Sequence, residues 1–213
     1  MTARFTLHGI YLSGPTYKVG LALALAGEPF DYDHVNLRAG QHKSPEFLAK
    51  NRFGQVPCLT DTSNGRNLCQ SASILEYVAD KTGKFGGATL EERIAAREWM
   101  FWVWDKLAAP VYRTRGAKAG FRTFDEATLQ MYAAEATAAL SFLDKALAGR
   151  DWLVGEAPTI ADIDVYGVVH YVGEAGFDLA PYPNLTAWVA RMRALPGFGD
   201  PADILPPETR AAA

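Results

Sequence analysis

A proline at the entry of a short apolar run constrains this chain more than any other single feature. Val56-Pro57 opens the run that ends at Leu59, where a β-strand needs its backbone donors, and proline has none. Pro57 therefore belongs at a sheet edge, at the first residue of a strand, or in a cis peptide bond. A cis bond would turn the chain sharply and leave the N–H and C=O of Val56 free to pair with an extended peptide. An ordinary strand-entry proline is the alternative.

Length and composition are those of an ordinary globular protein. The 213 residues allow one large or two small domains, and 49% of them are hydrophobic with a formal net charge of −3. No basic patch indicates a nucleic-acid partner, and no apolar run approaches the roughly 18 residues of a membrane span. Since the N-terminus reads directly into a strand pattern without a signal peptide, we expect a cytoplasmic protein.

The cysteines and histidines do not predict a metal site. Cys58 and Cys69 are too few for a disulfide framework, and we interpret both as small core residues. The histidines are scattered and form no spaced ligand pair of the kind that zinc needs; they are His8, His34, His42 and His170.

The first part of the chain predicts a small α/β domain. Strands are expected at Arg4–Gly9, Phe30–Leu37, Val56–Thr60 and Arg66–Cys69, the last two joined by a hairpin turn. Helices are expected at Tyr17–Ala26 with Gly27 as its C-cap, at Pro45–Ala49, and from a Ser71 cap to about Lys81. The order is βαβαββα. This order, with a proline opening the third strand, resembles a thioredoxin-like fold.

The rest of the chain predicts helices only. They are expected at Glu91–Ala109, which Pro110 ends or kinks, at Asp125–Ala148, from a capping box at Thr159–Asp162, and from Pro183 through Leu195 as the last helix. We therefore expect a thioredoxin-like domain at residues 1–82 and an all-helical domain at residues 89–213, joined by a short glycine-containing linker.

Several motifs, taken in order, resemble those of the cytosolic glutathione transferase family, in its bacterial-like form with a serine in the active-site loop. In the first half they are Ser13 ahead of an apolar helix, His42-Lys43-Ser44-Pro45-Glu46, Asn51 through Pro57, and Gln70 through Tyr77. In the second half they are Pro158 through Ile163 and Tyr182-Pro183-Asn184-Leu185 with Trp188. The resemblance covers nearly the whole chain and implies the family's fold and its dimeric habit. It also favours the cis form of Pro57.

The resemblance implies a site for glutathione as co-substrate, with no metal. Ser71, at a helix N-terminus, and Gln70 are expected to hold the γ-glutamyl end, because such termini favour anions. Val56, followed by Pro57, corresponds to the residue whose main chain pairs with the cysteinyl unit. By analogy His42 and Lys43 are expected at the glycyl carboxylate, with Gln55 as a further contact. Each of these also has a purely structural interpretation, as a cap or a solvated loop.

The reaction needs a thiolate, whereas a free thiol with a pKa of about 8.5 is mostly protonated at neutral pH. A hydroxyl group aimed at the sulfur lowers that pKa. Ser13 corresponds to the family's serine or cysteine and is the predicted donor. Tyr11, Thr16 and Tyr17 lie in the same segment and remain alternative donors to the sulfur. A purely structural role for Ser13, in a turn or as a helix cap, is the other alternative.

The electrophile is expected between the domains, against the long aromatic helix, a common place for ligand pockets. The candidates are Met100, Trp104, Tyr112 and Arg113, with Arg115 as a second cation. A core or subunit-interface role for the aromatic residues, and a solvated helix end for the arginines, are the alternatives.

The predicted activity is transfer of glutathione to a small apolar electrophile. The alternatives on the same fold are a glutathione-dependent disulfide-bond oxidoreductase or peroxidase, an isomerase, a dehalogenase, or a noncatalytic binding protein. Disulfide chemistry usually requires a cysteine where this chain has Ser13, which disfavours the oxidoreductase.

Overall fold

The structure is a computed structural model that describes residues 3–206. The described chain divides into two compact units, one formed by residues 3–84 with 195–206 and the other by residues 85–194. The strands are β1 (Phe5–Gly9), β2 (Phe30–His34), β3 (Cys58–Asp61) and β4 (Arg66–Cys69). The helices are α1 (Gly14–Ala26), α2 (Pro45–Lys50), α3 (Ser71–Thr82), α4 (Leu90–Val103), α5 (Ala109–Lys118), α6 (Glu126–Ala146), α7 (Ile160–Val169), α8 (Pro183–Arg193) and α9 (Pro201–Ile204).

The first unit is built on a four-stranded mixed sheet. Its strand order is β2-β1-β3-β4, with β1 and β2 parallel and the other two pairs antiparallel. The predicted βαβαββα order is confirmed, and so is the thioredoxin-like class followed by helices. Strand β2 ends at His34, earlier than the predicted Leu37, because its partner β1 ends at Gly9, which is opposite His34.

Helix α1 begins three residues before the predicted start. Ser13 is its N-cap, and Pro15 lies in the first turn, where a missing N–H costs no helical hydrogen bond. At the other end Gly27 is the C-cap in the left-handed conformation with a φ of 73°, as predicted. Nearly every residue of the helix is buried, which makes α1 the central helix of this unit.

The first unit also contains a short helix that the sequence did not predict. After α8 the chain turns at Gly197, where a Cβ would lie only 2.6 Å from the carbonyl oxygen of Ala24, so that only glycine fits. Helix α9 follows and packs on α1. The buried hydroxyl of Tyr17 donates a 2.9 Å hydrogen bond to the carbonyl of Gly199 in the same segment.

The second unit contains helices and no strand among residues 85–194. Of the two expectations for Pro110, that it ends or kinks the first helix, the end at Ala109 is not found, because the helical path continues through α5 to Lys118. A π-helical turn at Trp104–Ala108 separates α4 from α5 just ahead of Pro110. Proline has no N–H and crowds the carbonyl four residues earlier, and the wider turn accommodates this without ending the helix. The predicted cap of α7 is confirmed as a capping box between Thr159 and Asp162.

Candidate functional site

The sheet register brings the predicted glutathione segments to one end of the first unit. His8 near the end of β1 is opposite Cys58 at the start of β3, and Cys58 is opposite Cys69 at the end of β4. The segments that follow β1, precede β3 and follow β4 therefore meet at the same sheet end. Because β2 is parallel to β1 and ends opposite Gly9, the segment that carries His42 leaves from this end too.

The Val56–Pro57 peptide bond is cis, as predicted. Within the described chain, the backbone N–H and C=O of Val56 have no hydrogen-bond partner. The carbonyls on either side are instead held by buried Asn51, whose Nδ2 donates to Gln55 at 2.6 Å and to Pro57 at 3.4 Å. This segment is thus fixed by its neighbours, while the main chain of Val56 stays available to a peptide ligand.

The N-terminus of helix α3 lies at the same sheet end and has no side-chain cap hydrogen bond. The predicted cap at Ser71 is wrong: Gln70 is the N-cap, with a φ of 67°, and Ser71 is the first helical residue. Gln70 makes no side-chain cap hydrogen bond, because its amide extends away and donates to Oε1 of Gln55 at 3.2 Å. The first-turn N–H groups and the buried Ser71 are therefore left for an anion at the positive end of the helix.

His42 and Lys43 lie in a 3₁₀ turn, Gln41–Lys43. Nζ of Lys43 donates to the carbonyl of Gly54 at 2.9 Å, which ties this turn to the segment before Gln55. Gly54 has a φ of 55°, and a Cβ there would lie 2.8 Å from the carbonyl oxygen of His42. Nδ1 of His42 is buried and has no hydrogen-bond partner among residues 3–206. Of the two predicted cations, Lys43 thus has a structural contact, and His42 has an unused ring nitrogen.

Ser13 is half-buried in the segment between β1 and α1. Its Oγ accepts the N–H of Thr16 at 3.2 Å, which is the cap hydrogen bond of α1. An oxygen that accepts this bond still carries its own proton, and polarisation by the N–H makes that proton a better donor. The cap role and a donor role are therefore compatible.

The rival hydroxyls differ in their surroundings. Oγ1 of Thr16 is buried without a partner in the described chain, and its side chain lies so close to Gly9 that a Cβ there would collide with it. The hydroxyl of Tyr17 is buried and donates to Gly199. Tyr11 is half-buried and stays a rival.

The predicted electrophile residues lie in the second unit and only partly come together. Met100 is buried in α4, whereas Trp104 is 38% exposed. The rings of Trp104 and Tyr112 are 6.2 Å apart, and the Tyr112 hydroxyl donates to the carbonyl of Gly167 at 2.9 Å. Burial raises the pKa of Tyr112 well above its ordinary value.

Both arginines already have side-chain partners. Nη1 of Arg113 donates to the hydroxyl of Tyr132 at 2.8 Å, and Nε of Arg115 donates to Glu174 at 2.7 Å. The Arg115 guanidinium also lies over the ring of Tyr171, 4.0 Å from its centre. The side-chain nitrogens that form these bonds are therefore occupied.

Asn51 is a positioning residue whose role the sequence did not single out. It begins the motif that ends at Pro57, and that position in the motif is the signal that could have identified it, because its burial is visible only in the structure. Among the described residues, no three His, Cys, Asp or Glu side chains are grouped to hold a metal ion. Over the same range no helix has the length and apolar character needed to cross a membrane.

Family comparisons match both halves of the chain. The model for "Glutathione S-transferase, N-terminal domain" matches residues 15–81, and that for "Glutathione S-transferase, C-terminal domain" matches residues 98–196. A crystal structure of glutathione S-transferase from Pseudomonas fluorescens Pf-5 superposes with a TM-score of 0.88 at 30% identity, covering 94% of this chain and 100% of that one.

Two further likenesses carry different names. The disulfide-bond oxidoreductase YfcG of Escherichia coli K12 is 29% identical over 188 residues, which cover 86% of this chain and 87% of YfcG. The glutathione transferase URE2P8 of Phanerochaete chrysosporium, solved with oxidised glutathione, has a TM-score of 0.87 at 23% identity and covers 99% of this chain and 97% of its own. The second likeness shows the fold alone.

Proposed function

This chain belongs to the glutathione S-transferase family, and from that premise we propose that it ionises the thiol of glutathione and transfers the thiolate to a small apolar electrophile. The observation that carries the proposal is the convergence of four segments at one end of the sheet. They offer a helix N-terminus without a side-chain cap, the unpaired main chain of Val56, a turn with an imidazole and an ammonium group, and a hydroxyl donor. These groups match the parts of an anionic tripeptide thiol.

The γ-glutamyl end of glutathione is proposed to bind at the N-terminus of α3. Its α-carboxylate would accept the free first-turn N–H groups and the Ser71 hydroxyl, and the helix dipole favours that negative charge. Gln70 would contact the neighbouring ammonium or carboxylate through its amide. The 3.2 Å contact between Gln70 and Gln55 supports this, because it already holds both side chains at the site.

The rest of the tripeptide is proposed to extend along the cis-proline segment. The N–H and C=O of Val56 would pair with the main chain of the cysteinyl unit, as in the addition of one strand to another. The glycyl carboxylate would then reach the turn that carries His42 and Lys43. Both side chains can serve it, because the imidazole of His42 is half-buried and the exposed ammonium of Lys43 keeps two of its three N–H donors beside the bond to Gly54.

Ser13 is proposed to donate its hydroxyl proton to the glutathione sulfur. Hydrogen bonding to the charged form of an acid lowers its pKa, so this contact would raise the thiolate fraction at neutral pH. Thr16 and Tyr17 are less suitable, because the hydroxyl of one is enclosed beside Gly9 and that of the other is committed to Gly199. Tyr11 is the remaining rival.

The electrophile is proposed to meet residues of α4, the π-helical turn and α5. Trp104 and Tyr112 offer neighbouring aromatic rings, with Trp104 partly exposed. Met100 is assigned a packing role behind them because it is buried. Arg113 commits one of its five N–H donors to Tyr132, and the others would polarise a substrate anion.

A disulfide-bond oxidoreductase is the second candidate, and the likeness to YfcG favours it. The segment from Tyr11 to Thr16 contains no cysteine, so glutathione itself would have to supply the attacking sulfur. Ser13 would serve that reaction equally, since it too begins with a glutathione thiolate.

One assay separates the two candidates. Purified protein is given glutathione together with a panel of aryl halides and epoxides, or with hydroxyethyl disulfide. We expect conjugation of at least one electrophile, with kcat reduced about tenfold in Ser13→Ala if one pKa unit is lost. Gln130→Ala, an exposed change in α6, is the control. Turnover of the disulfide alone would assign the oxidoreductase activity, and turnover of neither would leave a noncatalytic binding protein.

We further propose a cytoplasmic homodimer with a role in detoxification. The second unit supports the dimer, because it exposes an aromatic cluster formed by Trp99, Trp102 and Phe142. The rings of Trp102 and Phe142 are 5.3 Å apart and line a hollow of about 410 Å³. Large exposed apolar patches commonly mark association surfaces.

A further inference from the structure

The two cysteines lie side by side at the sheet end where the glutathione segments meet. Cys58 in β3 and Cys69 in β4 are directly opposite each other in an antiparallel pair. Side chains in such a pair share one face, with their Cβ atoms about 4.5–5.5 Å apart. A disulfide accepts Cβ separations of about 3.5–4.5 Å, so the backbone places these residues at or near bonding range.

A second contact brings the two thiols together independently of the register. Sγ of Cys58 and Sγ of Cys69 each lie 3.7 Å from the carbonyl oxygen of Lys50. Lys50 is the last residue of α2, and its carbonyl has no partner within that helix. Both sulfur atoms therefore converge on a single acceptor.

The two thiols are not equally accessible. Cys58 is completely buried in a cluster with Val35 and Phe47, whereas Cys69 is half-buried. Burial and the neighbouring Cys69 thiol raise the pKa of Cys58 to about 12. An external reagent therefore meets Cys69 first, and Cys58 can react only with a group already attached to its neighbour.

We propose that Cys58 and Cys69 are a redox-active pair that forms a reversible disulfide with a low-molecular-weight disulfide, such as oxidised glutathione, as the oxidant. The Cys69 thiolate attacks one sulfur of the oxidant, which forms a mixed disulfide and releases one thiolate. Cys58 then attacks the Cys69 sulfur, and its proton passes to the second departing thiolate. The two cysteines are oxidised, and one disulfide is reduced to two thiols.

The resulting bridge would join the residues that directly adjoin Pro57 and Gln70. The pair is thus a modification site separate from the Ser13 hydroxyl, and its reaction uses a disulfide in place of the apolar electrophile of conjugation. It gives the chain a second reaction with glutathione chemistry, for which the oxidised form is the substrate.

The test is the intact mass of the native full chain after incubation with oxidised glutathione, followed by alkylation under denaturing conditions. We expect the loss of both alkylatable thiols and a mass lower by two hydrogen atoms, with the bridge assigned to Cys58 and Cys69 by peptide mapping. Glutathione or dithiothreitol should restore both thiols. Two thiols that remain alkylatable, or a glutathionyl group that stays attached to the wild-type chain, would overturn the proposal.

Single variants separate the two steps. Cys58→Ser should stop at one glutathionyl group on Cys69, and Cys69→Ser should not react, since the remaining thiol is buried. Equal reaction of both variants would contradict the proposed order. Hydroxyethyl disulfide has no γ-glutamyl or glycyl group, so its reaction with the cysteines does not depend on the glutathione site. The double variant Gln70→Ala and Ser71→Ala, designed to weaken glutathione binding, should therefore still lose both thiols to this reagent.

Discussion

Asp61 shows how a single residue stabilises the hairpin between β3 and β4. Its side chain is completely buried, yet it accepts hydrogen bonds from Nη2 of Arg4 at 2.9 Å, from the Ser63 hydroxyl at 2.6 Å and from the Tyr77 hydroxyl at 2.8 Å. Burial by itself would raise the pKa of Asp61, but these donors outweigh it and hold the pKa well below its ordinary range. The carboxylate therefore links Arg4, just ahead of β1, with the hairpin turn and α3.

The pH dependence of stability follows from this carboxylate. Because its folded pKa lies below the unfolded value of about 3.9, its stabilisation is complete above that pH and is lost as the pH falls toward the folded pKa. Asp61→Asn should lower the free energy of unfolding by about 2 kcal/mol at pH 7, the scale of hydrogen bonds to a charged group. Urea unfolding should show the difference shrinking below about pH 4. A difference that does not change with pH would mean that the charge is not what stabilises the hairpin.

The carboxylate anchor at α3 is the second test at the residue scale. The double change Gln70→Ala and Ser71→Ala should weaken glutathione binding at least about tenfold, since a charge-assisted hydrogen bond contributes about 1.5–3 kcal/mol. Calorimetry measures the affinity, and circular dichroism checks that the fold is kept. Gln130→Ala is a matched glutamine control far along the chain in α6. An affinity equal to that of the wild type would place the anion site elsewhere.

At the scale of elements, the sequence predicted the helices and strands whose ends carry strong local signals. Gly27 and the Thr159 capping box are such signals, and both are confirmed. The errors occur where local and longer-range effects compete. Pro110 predicted a helix end or a kink, and the helix instead continues through a π-helical turn just ahead of the proline. Ser71 predicted the N-cap of α3, which lies one residue earlier, at Gln70 with its positive φ.

The same distinction applies to the candidate site. The residues alone left a cis bond as one of three options for Pro57, and the resemblance of the neighbouring motifs to a known family was needed to favour it. Three features depend on strand register and tertiary contacts, which a single sequence does not specify. They are the meeting of the glutathione segments at one end of the sheet, the bonds from Asn51 to the carbonyls beside Val56, and the pairing of Cys58 with Cys69. The division into domains at 1–82 and 89–213 and the role of each site residue stay predictions.

Asp162 holds the start of α7 and is the test at the element scale. It is completely buried and accepts from the N–H groups of Leu153 at 3.0 Å and Thr159 at 2.8 Å, and from Nε1 of Trp188 at 2.9 Å. Asp162→Ala leaves these donors unpaired, each at about 1–3 kcal/mol, so the loss in unfolding free energy should reach at least about 3 kcal/mol. Urea titration should find a much smaller loss for Asp125→Ala, which removes the exposed cap of α6. Equal losses would contradict the account.

At the scale of the whole molecule, we expect the exposed aromatic surface of the second unit to be the interface of the proposed dimer. Phe101 is 77% exposed, and Phe142 in the neighbouring aromatic cluster is 52% exposed. Two-fold dimers are the commonest closed oligomers, and such a surface is costly to leave in water.

Light scattering at micromolar concentration should give twice the chain mass of 23.2 kDa. Phe142→Asp should shift the protein toward the monomer because it places a charge in the contact. Phe121→Asp is the matched control, as that side chain is 67% exposed but lies outside the cluster. A monomer mass for the wild type would refute the dimer, and equal effects of the two changes would exclude the cluster as its interface.

The most direct test of the central claim, that Ser13 ionises the thiol of bound glutathione, is the ultraviolet absorbance of the thiolate as a function of pH. Wild-type protein should ionise the bound thiol at a pH below the value of about 8.5 for a free thiol, and Ser13→Ala should move the titration upward toward that value. Thr16→Val and Tyr11→Phe should leave it in place. Coinciding titrations for wild type and Ser13→Ala, with an upward shift in either of the other two variants, would contradict the account.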